Sequence, residues 1–197
     1  SKIFDSFNIE FCCKLWGLRA TDLNQGIVYG TKIDEMETEE EQTRFDYDEI
    51  FGTVLNRFIV QAVIRMPLTI YGRGGQTRGF INLNDSMRCI ELAIQNPPIK
   101  KEFRIFNQLT EVFSINELAE MVKAAGIELG YNVWTQKTEN PRAEKEEHYY
   151  KPVYKKLLNL GLQPRQMTEV IPSMFEDVAR YRNRIKREVI QPTVRWQ

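Results

Sequence analysis

Hydrophobic residues recur at helical spacing in the first sixteen residues and in several later segments. Phe4, Phe7, Phe11 and Leu15 follow one another at steps of three and four residues. This period is typical of an amphipathic helix with one apolar face, and it predicts a helix over 2–16. Further helices are predicted over about 49–65, 84–95, 152–159 and 169–187, and one behind the capping box Ser114-x-x-Glu117.

Short apolar runs bounded by turn residues predict strands between these helices. They cover 18–23, 27–30, 103–107 and 131–137, with one further strand on each side of Gly74-Gly75. The polar, acidic stretch 31–48 is typical of a solvated surface loop. Because helices and short strands alternate along the chain, we expect an α/β fold.

The composition narrows the range of functions. Lysine plus arginine equals aspartate plus glutamate, with 27 residues on each side, so no overall charge attracts nucleic acid or an anionic membrane. No apolar run reaches the roughly 18 residues of a membrane span. Three cysteines (Cys12, Cys13 and Cys89) and a single histidine fit neither a disulfide framework nor a zinc site, so we expect a reducing, intracellular compartment and no metal.

The glycine-rich segment 72–79 is the most informative single stretch of the chain. It holds Arg73, Gln76 and Arg78 around Gly74-Gly75. Glycine lets a backbone approach a ligand closely, and the planar donors of arginine fit a phosphate group. A Gly-Gly turn between two strands is equally typical of a β-hairpin, and the pattern does not decide between the two.

Four polar residues could converge on a diphosphate ligand. Arg78 and Arg142 lie in two loops, and Asn24 and Gln25 follow a strand end, the edge at which open α/β sheets bind ligands. Their side chains could hold a pyrophosphate through charge-assisted hydrogen bonds. In the alternative interpretation both arginines form surface ion pairs, with Glu144 as the partner of Arg142. Spacing alone leaves both possibilities open.

Several segments resemble the extended short-chain dehydrogenases/reductases, and among these the UDP-sulfoquinovose synthase family. Lys2 stands where that superfamily has the lysine of its Tyr-x-x-x-Lys motif, and 19–30 resembles the strand region that follows. The tyrosine and a glycine-rich dinucleotide-binding motif are not among these 197 residues. The segments that resemble the synthases are 45–48, 51–53, 55–58, 74–79, 106–108 and 140–150, and of these 74–79 and 146–150 are the more specific to them.

The resemblance implies the carboxyl-terminal part of such an enzyme, and we expect the missing motifs upstream. Residues 1–30 would complete the NAD-binding Rossmann domain and carry the helix with the catalytic lysine. Residues 31–197 would form mainly the smaller UDP-sugar-binding domain, with interleaved Rossmann elements. The helix over 2–16 would contribute to a homodimer, since superfamily members pair through this helix.

The resemblance also implies a reaction. UDP-glucose and sulfite would become UDP-sulfoquinovose for sulfolipid synthesis, with NAD as the cofactor. The route would pass through a 4-keto sugar, loss of water across C5 and C6, and addition of sulfite. A UDP-sugar 4-epimerase or 4,6-dehydratase is the first alternative, and a non-catalytic nucleotide-binding sensor is the second. The compartment would be the cytoplasm, or the plastid stroma in a photosynthetic eukaryote.

Carried over position by position, the resemblance implies a set of site residues. Lys2 would be catalytic and would bind the nicotinamide ribose, and Gln25 would lie on the nicotinamide side. Arg78 and Arg142 would clamp the pyrophosphate, while 69–71 would run beside the uracil. The full substrate-binding set is Asn24, Gln25, Thr53, Thr69, Tyr71, Arg73, Gln76, Arg78, Arg142 and Glu144.

Overall fold

The computed structural model describes residues 2–141 and 150–190. Within these ranges the helices are α1 Lys2–Trp16, α2 Val54–Val63, α3 Leu83–Gln95, α4 Ile115–Glu128, α5 Lys155–Asn159 and α6 Met167–Arg180. The strands are β1 Ala20–Gln25, β2 Ile27–Tyr29, β3 Leu68–Tyr71, β4 Thr77–Asn82, β5 Phe103–Gln108, β6 Glu111–Ser114 and β7 Thr135–Thr138. No helix of the described part is long and apolar enough to cross a membrane.

The α/β prediction is confirmed, and most differences concern where elements begin and end. Helix α1 has the predicted bounds, and the capping box of α4 is formed, with the Ser114 hydroxyl accepting from the backbone of Glu117. Helix α2 begins at Val54 and not at about 49, because a tight turn occupies 48–52. Strand β6 was not predicted, since it is short and runs directly into the cap of α4.

The strands form three small sheets. Strand β1 pairs with β5 in parallel, β4 lies between β2 and β6, and β3 pairs with β7 in parallel. Strands β3 and β4 therefore belong to different sheets, and the hairpin interpretation of the glycine-rich segment is wrong. The turn between them bonds to α4 instead, since the amides of Ile115 and Asn116 donate to the carbonyls of Gln76 and Gly74.

The two parallel pairs place several predicted site residues at strand ends. Asn24 and Gln25 at the end of β1 lie opposite Asn107 and Gln108 of β5, and Tyr71 at the end of β3 lies opposite Thr138 of β7. Parallel strands bring their carboxyl ends to the same edge, which is where open α/β sheets bind ligands. The register therefore agrees with the predicted position of these residues.

The hydrophobic core has two parts. The larger cluster joins α2, α4 and α6 through buried side chains that include Leu55, Phe58, Leu118, Val122 and Phe175. The smaller cluster packs α3, β5 and α5 together through Ile81, Cys89, Phe106, Leu157 and Leu162. The division at residue 30 stays a prediction, and the pairing of β2 with β4 shows that elements on its two sides interleave.

The aromatic stripe of α1 is outside both clusters. Phe4, Phe7 and Phe11 are 69%, 62% and 60% exposed, and Cys13 is the buried residue of this helix. Contiguous apolar side chains that are exposed in this way often mark an interaction surface. This face of α1 could therefore be covered by another part of the protein or by a second copy.

Two carboxylates hold the start of α6. The backbone amide of Met167 donates to Glu111 at 3.0 Å, and the amide of Arg165 donates to Asp85 at 2.9 Å. The Tyr29 hydroxyl also donates to Glu111 at 3.0 Å. Burial raises the pKa of the Glu111 and Asp85 carboxyls and that of the Tyr29 hydroxyl. The start of α6 thus depends on partly buried acids whose ionised forms are disfavoured.

This arrangement predicts a pH-dependent effect of Glu111→Gln. Because the pKa of Glu111 is raised in the folded state, its contribution to stability is complete at acidic pH and is lost as the pH rises through the folded pKa. The melting temperature of the wild type minus that of Glu111→Gln should therefore increase as the pH falls from 7 towards 4. Calorimetry of both proteins across this range measures the difference.

Glu117→Gln provides a comparison of opposite sign. The backbone amide and hydroxyl of Ser114 lower the pKa of Glu117, so its contribution is present above the unfolded pKa and is lost as the pH falls. The advantage of the wild type over this variant should shrink on acidification. A Glu111→Gln difference that is independent of pH, or that shrinks in acid as well, would contradict the account.

Candidate functional site

Helix α2 and strand β3 are joined by a buried polar contact. The Gln61 amide nitrogen donates to the Thr69 hydroxyl at 2.8 Å, and the Thr69 backbone amide donates to the Gln61 side-chain oxygen at 3.1 Å. Both residues are buried. The hydroxyl and amide of Thr69 are therefore already bonded within the protein, which gives this predicted site residue a structural role.

Arg57 of α2 contacts two of the predicted site residues of β3. Its guanidinium donates to the Thr69 carbonyl at 2.9 Å and lies 4.1 Å from the centre of the Tyr71 ring. It also lies 5.4 Å from the ring of Phe58. A cation over an aromatic face is attracted by the negative charge of that face. The structure thus places a positive charge at the end of β3.

The sequence analysis did not name Arg57 as a site residue. The available signal was its position one helical turn after Thr53, within a segment that already resembled the synthases. Thr53 caps α2, since its hydroxyl accepts from the backbone amide of Asn56 at 3.2 Å. A residue at the cap and a residue one turn later lie on the same side of a helix. The predicted site residue Thr53 therefore marks the side of α2 on which Arg57 lies.

Two hydroxyls at the ends of β3 and β7 are unsatisfied. Tyr71 and Thr138 are opposite each other in the register, and neither buried hydroxyl oxygen has a hydrogen-bond partner among the described residues. Polar atoms in this state usually find a partner in a folded protein. This end of the sheet therefore has the chemistry of a polar ligand site, with Arg57 at its side.

The glycine-rich turn packs against α4. A Cβ atom on Gly74 would lie 2.4 Å from the Asn116 side-chain oxygen and 2.7 Å from Cγ2 of Ile70, and its φ of 76° also favours glycine. The Asn116 side chain donates to the carbonyl of the exposed Arg73 at 3.0 Å. Packing therefore accounts for Gly74, and its role in phosphate binding stays a prediction.

The next predicted residues along the chain differ in burial. Gln76 is buried, and its side-chain oxygen has no hydrogen-bond partner in the described part of the chain. Arg78 is partly buried and donates to the carbonyl of Thr77 at 2.9 Å. Arg142 and Glu144 lie outside the described residues, so the predicted clamp of Arg78 and Arg142 stays a prediction.

The remaining predicted residues form a second group at strand β1. Gln25 donates to the Ser86 hydroxyl at 2.8 Å, and Gln108, its neighbour in the register, donates to the Ser86 carbonyl at the same distance. Asn24 makes a long contact of 3.5 Å with Asn107. Lys2 is exposed at the start of α1. Asn24 and Gln25 belong to the β1–β5 sheet and Lys2 to helix α1, whereas Thr69 and Tyr71 belong to the β3–β7 sheet.

One cavity lies away from both groups. It has a volume of about 370 Å³ and lies between the acidic segment 39–47 and the end of α6, with Tyr47, Val60 and Tyr181 in its walls. None of the predicted site residues lines it. Across 2–141 and 150–190, no three side chains of His, Cys, Asp or Glu are grouped so that they could hold a metal ion.

The chain is similar over its whole length to two curated proteins. It is 50% identical to UDP-sulfoquinovose synthase from the chloroplast of Spinacia oleracea and 46% identical to UDP-sulfoquinovose synthase from Sulfolobus acidocaldarius. In both cases all of this chain is covered, with 41% and 51% of the relative, and the match falls in the carboxyl-terminal part. The chain belongs to the UDP-sulfoquinovose synthase family. It spans about half the length of these relatives.

The fold is that of NAD-dependent epimerases and dehydratases. A solved variant of UDP-glucuronic acid 4-epimerase from Bacillus cereus, in complex with UDP-4-deoxy-4-fluoro-glucuronic acid and NAD, matches with a TM-score of 0.67 at 19% identity, over 91% of this chain and 51% of that one. The predicted fold class, part of an extended short-chain dehydrogenase/reductase, is confirmed. No general family model matches the chain.

Arg57→Ala should destabilise the junction between α2 and β3. It removes the bond to the Thr69 carbonyl and the contact with the Tyr71 ring, which together are worth about 1–3 kcal/mol. Arg57→Lys keeps the charge but loses the planar stacking, so it should recover only part of the loss. Denaturant unfolding of both variants measures the change in free energy.

Arg88→Ala is the matched control for the loss of an arginine. Arg88 forms exposed ion pairs with Glu35 and Glu91, and such pairs contribute about 0–1 kcal/mol. Its removal should change the free energy of unfolding less than the removal of Arg57. Equal effects of the two substitutions would show that Arg57 does not hold the junction together.

Proposed function

We propose that the protein to which this chain belongs converts UDP-glucose and sulfite to UDP-sulfoquinovose, with NAD as its cofactor. The observation that carries the proposal is the identity of 46–50% to two UDP-sulfoquinovose synthases across all 197 residues. Within that enzyme this chain would supply most of the nucleotide-sugar site and the catalytic lysine. The relatives are about twice as long, so the reaction is proposed for the whole protein.

The β3–β7 end and the glycine-rich turn would bind the nucleotide. Tyr71 and Thr69 would lie beside the uracil, and Thr53 would contact the nucleotide near the start of α2. Arg78 and Arg142 would bind the pyrophosphate, with Gln76, Arg73 and Glu144 nearby. Three observations support this assignment: Tyr71 lies at the carboxyl end of the parallel pair β3–β7, its hydroxyl has no hydrogen-bond partner among the described residues, and the positive charge of Arg57 lies over its ring.

The β1 group would face the reacting sugar and the nicotinamide. Lys2 carries an exposed ammonium group at the start of α1, and Asn24 and Gln25 end a parallel strand. These donors fit the hydroxyls of a nicotinamide ribose and of a sugar. Bound NAD would supply reversible hydride transfer to and from the sugar. Lys2 would stabilise the phenolate of the neighbouring tyrosine of the family's motif, so that this tyrosine can act as a base near neutral pH.

Two finer points are part of the same proposal. A homodimer is supported by the exposed aromatic stripe of α1, which a second copy could cover. The cytoplasm, or the plastid stroma in a photosynthetic eukaryote, is the proposed compartment, and the name of the spinach relative places that protein in the chloroplast.

The proposal predicts a product that depends on sulfite. The full-length protein should convert UDP-glucose to UDP-sulfoquinovose when sulfite is supplied, as measured by mass spectrometry of the nucleotide sugars. Lys2→Met should lower the rate by orders of magnitude while it leaves the binding of UDP nearly unchanged, because the lysine acts at the sugar and nicotinamide.

Two results would favour the alternatives. UDP-galactose as the main product, with or without sulfite, would indicate a 4-epimerase. Tight binding of UDP-glucose without turnover, in a full-length protein that lacks the motif's tyrosine, would indicate a sensor. The variant Lys123→Met changes a partly exposed lysine of α4 that is not among the predicted site residues, and it serves as a control with unchanged activity.

A further inference from the structure

The turn between the acidic segment and α2 exposes two large apolar side chains. Ile50 and Phe51 are 74% and 72% exposed. They are adjacent in sequence and lie directly before Gly52 and Thr53. Leaving both in water forgoes the free energy that burial of apolar surface provides, so the pair fits a role in binding better than a role in folding.

The turn is held in one conformation by several bonds. The Asp48 carboxylate accepts from the backbone amides of Ile50 and Phe51 at 2.8 and 2.9 Å, and the Gly52 amide donates to the Asp48 carbonyl at 3.0 Å. These amides lower the pKa of Asp48, which keeps the carboxylate ionised. A Cβ on Gly52 would lie 2.3 Å from the Asp48 carbonyl oxygen and 2.4 Å from the Tyr47 carbonyl carbon, so glycine is required there.

The turn is continuous with the candidate nucleotide site. The Asn56 side chain of α2 donates to the Asp46 carbonyl at 2.9 Å. This bond joins the residues just before the 48–52 turn to the start of helix α2. That helical turn also holds the cap Thr53 and Arg57, whose guanidinium lies on Tyr71. Phe51 is therefore exposed on an ordered turn, two residues before Thr53, the cap of helix α2. This helix forms one side of the candidate site.

We propose that Phe51 stacks on the base of the bound nucleotide and that Ile50 packs beside it. The inference rests on the proposed function, since it specifies how the UDP-sugar is held. A planar base is the part of that ligand with a π-face, and aromatic side chains stack on any base. Phe51 thus contributes affinity for the base, while the arginines bind the diphosphate. A preordered side chain also loses little entropy on binding.

The test compares two ligands that differ in whether they have a base. Titration calorimetry of the full-length protein should show that Phe51→Ala weakens UDP binding about tenfold, the typical effect of removing one stacked aromatic. Inorganic pyrophosphate has no base, so its binding should be unchanged. Phe51→Trp should retain the affinity for UDP, whereas Phe51→Leu, which is apolar but has no π-face, should lose most of it.

Ile99→Ala is the matched control, because Ile99 is an equally exposed apolar residue outside this turn. It should bind both ligands like the wild type. If the wild type binds UDP and Phe51→Ala binds it equally well, the inference is wrong while the proposed function stands. If Phe51→Ala changes only self-association or stability, another part of the protein covers the turn and the inference is again wrong. If the wild type does not bind UDP, the proposed function fails as well.

Discussion

The side-chain amide of Gln61 fixes helix α2 to strand β3, and the candidate nucleotide site depends on this contact. Its two hydrogen bonds to Thr69 are buried, where leaving a polar atom unpaired costs about 1–3 kcal/mol. With the strand held in this way, the Thr69 carbonyl lies within reach of Arg57, and Arg57 lies on the ring of Tyr71. The same helix carries the cap Thr53 and the turn that displays Phe51.

Local signals in the sequence predicted the elements that local interactions form. Helix α1 follows from the spacing of Phe4, Phe7 and Phe11, and the start of α4 follows from Ser114 and Glu117, which bond to each other. Pairing over long distances along the chain left no such signal. Strand β3 pairs with β7, far along the chain, and not with the neighbouring β4, so the hairpin interpretation was wrong although both strands were predicted.

The candidate site shows the same limit. The resemblance supplied Thr53, Thr69 and Tyr71 as site residues, and the structure places Thr69 and Tyr71 on β3 and Thr53 at the cap of α2, which packs against β3. It did not single out Arg57, because the bond from this residue to the Thr69 carbonyl forms only when α2 and β3 meet in the fold. Nor did the sequence show that Gly74 is required by contact with Asn116 and Ile70, a packing reason that a phosphate-binding interpretation does not need.

The two groups of predicted residues separate the tasks of the proposed enzyme. The β3–β7 end has the features of a nucleotide site, whereas Asn24 and Gln25 end a strand of the β1–β5 sheet and Lys2 begins helix α1, where the sugar and nicotinamide would meet. Hydrogen exchange of the full-length protein with and without UDP-glucose tests this arrangement most directly. The account predicts that the ligand slows exchange chiefly in 48–57 and 68–78. Slower exchange confined to 39–47 and 177–185, around the separate cavity, would contradict it.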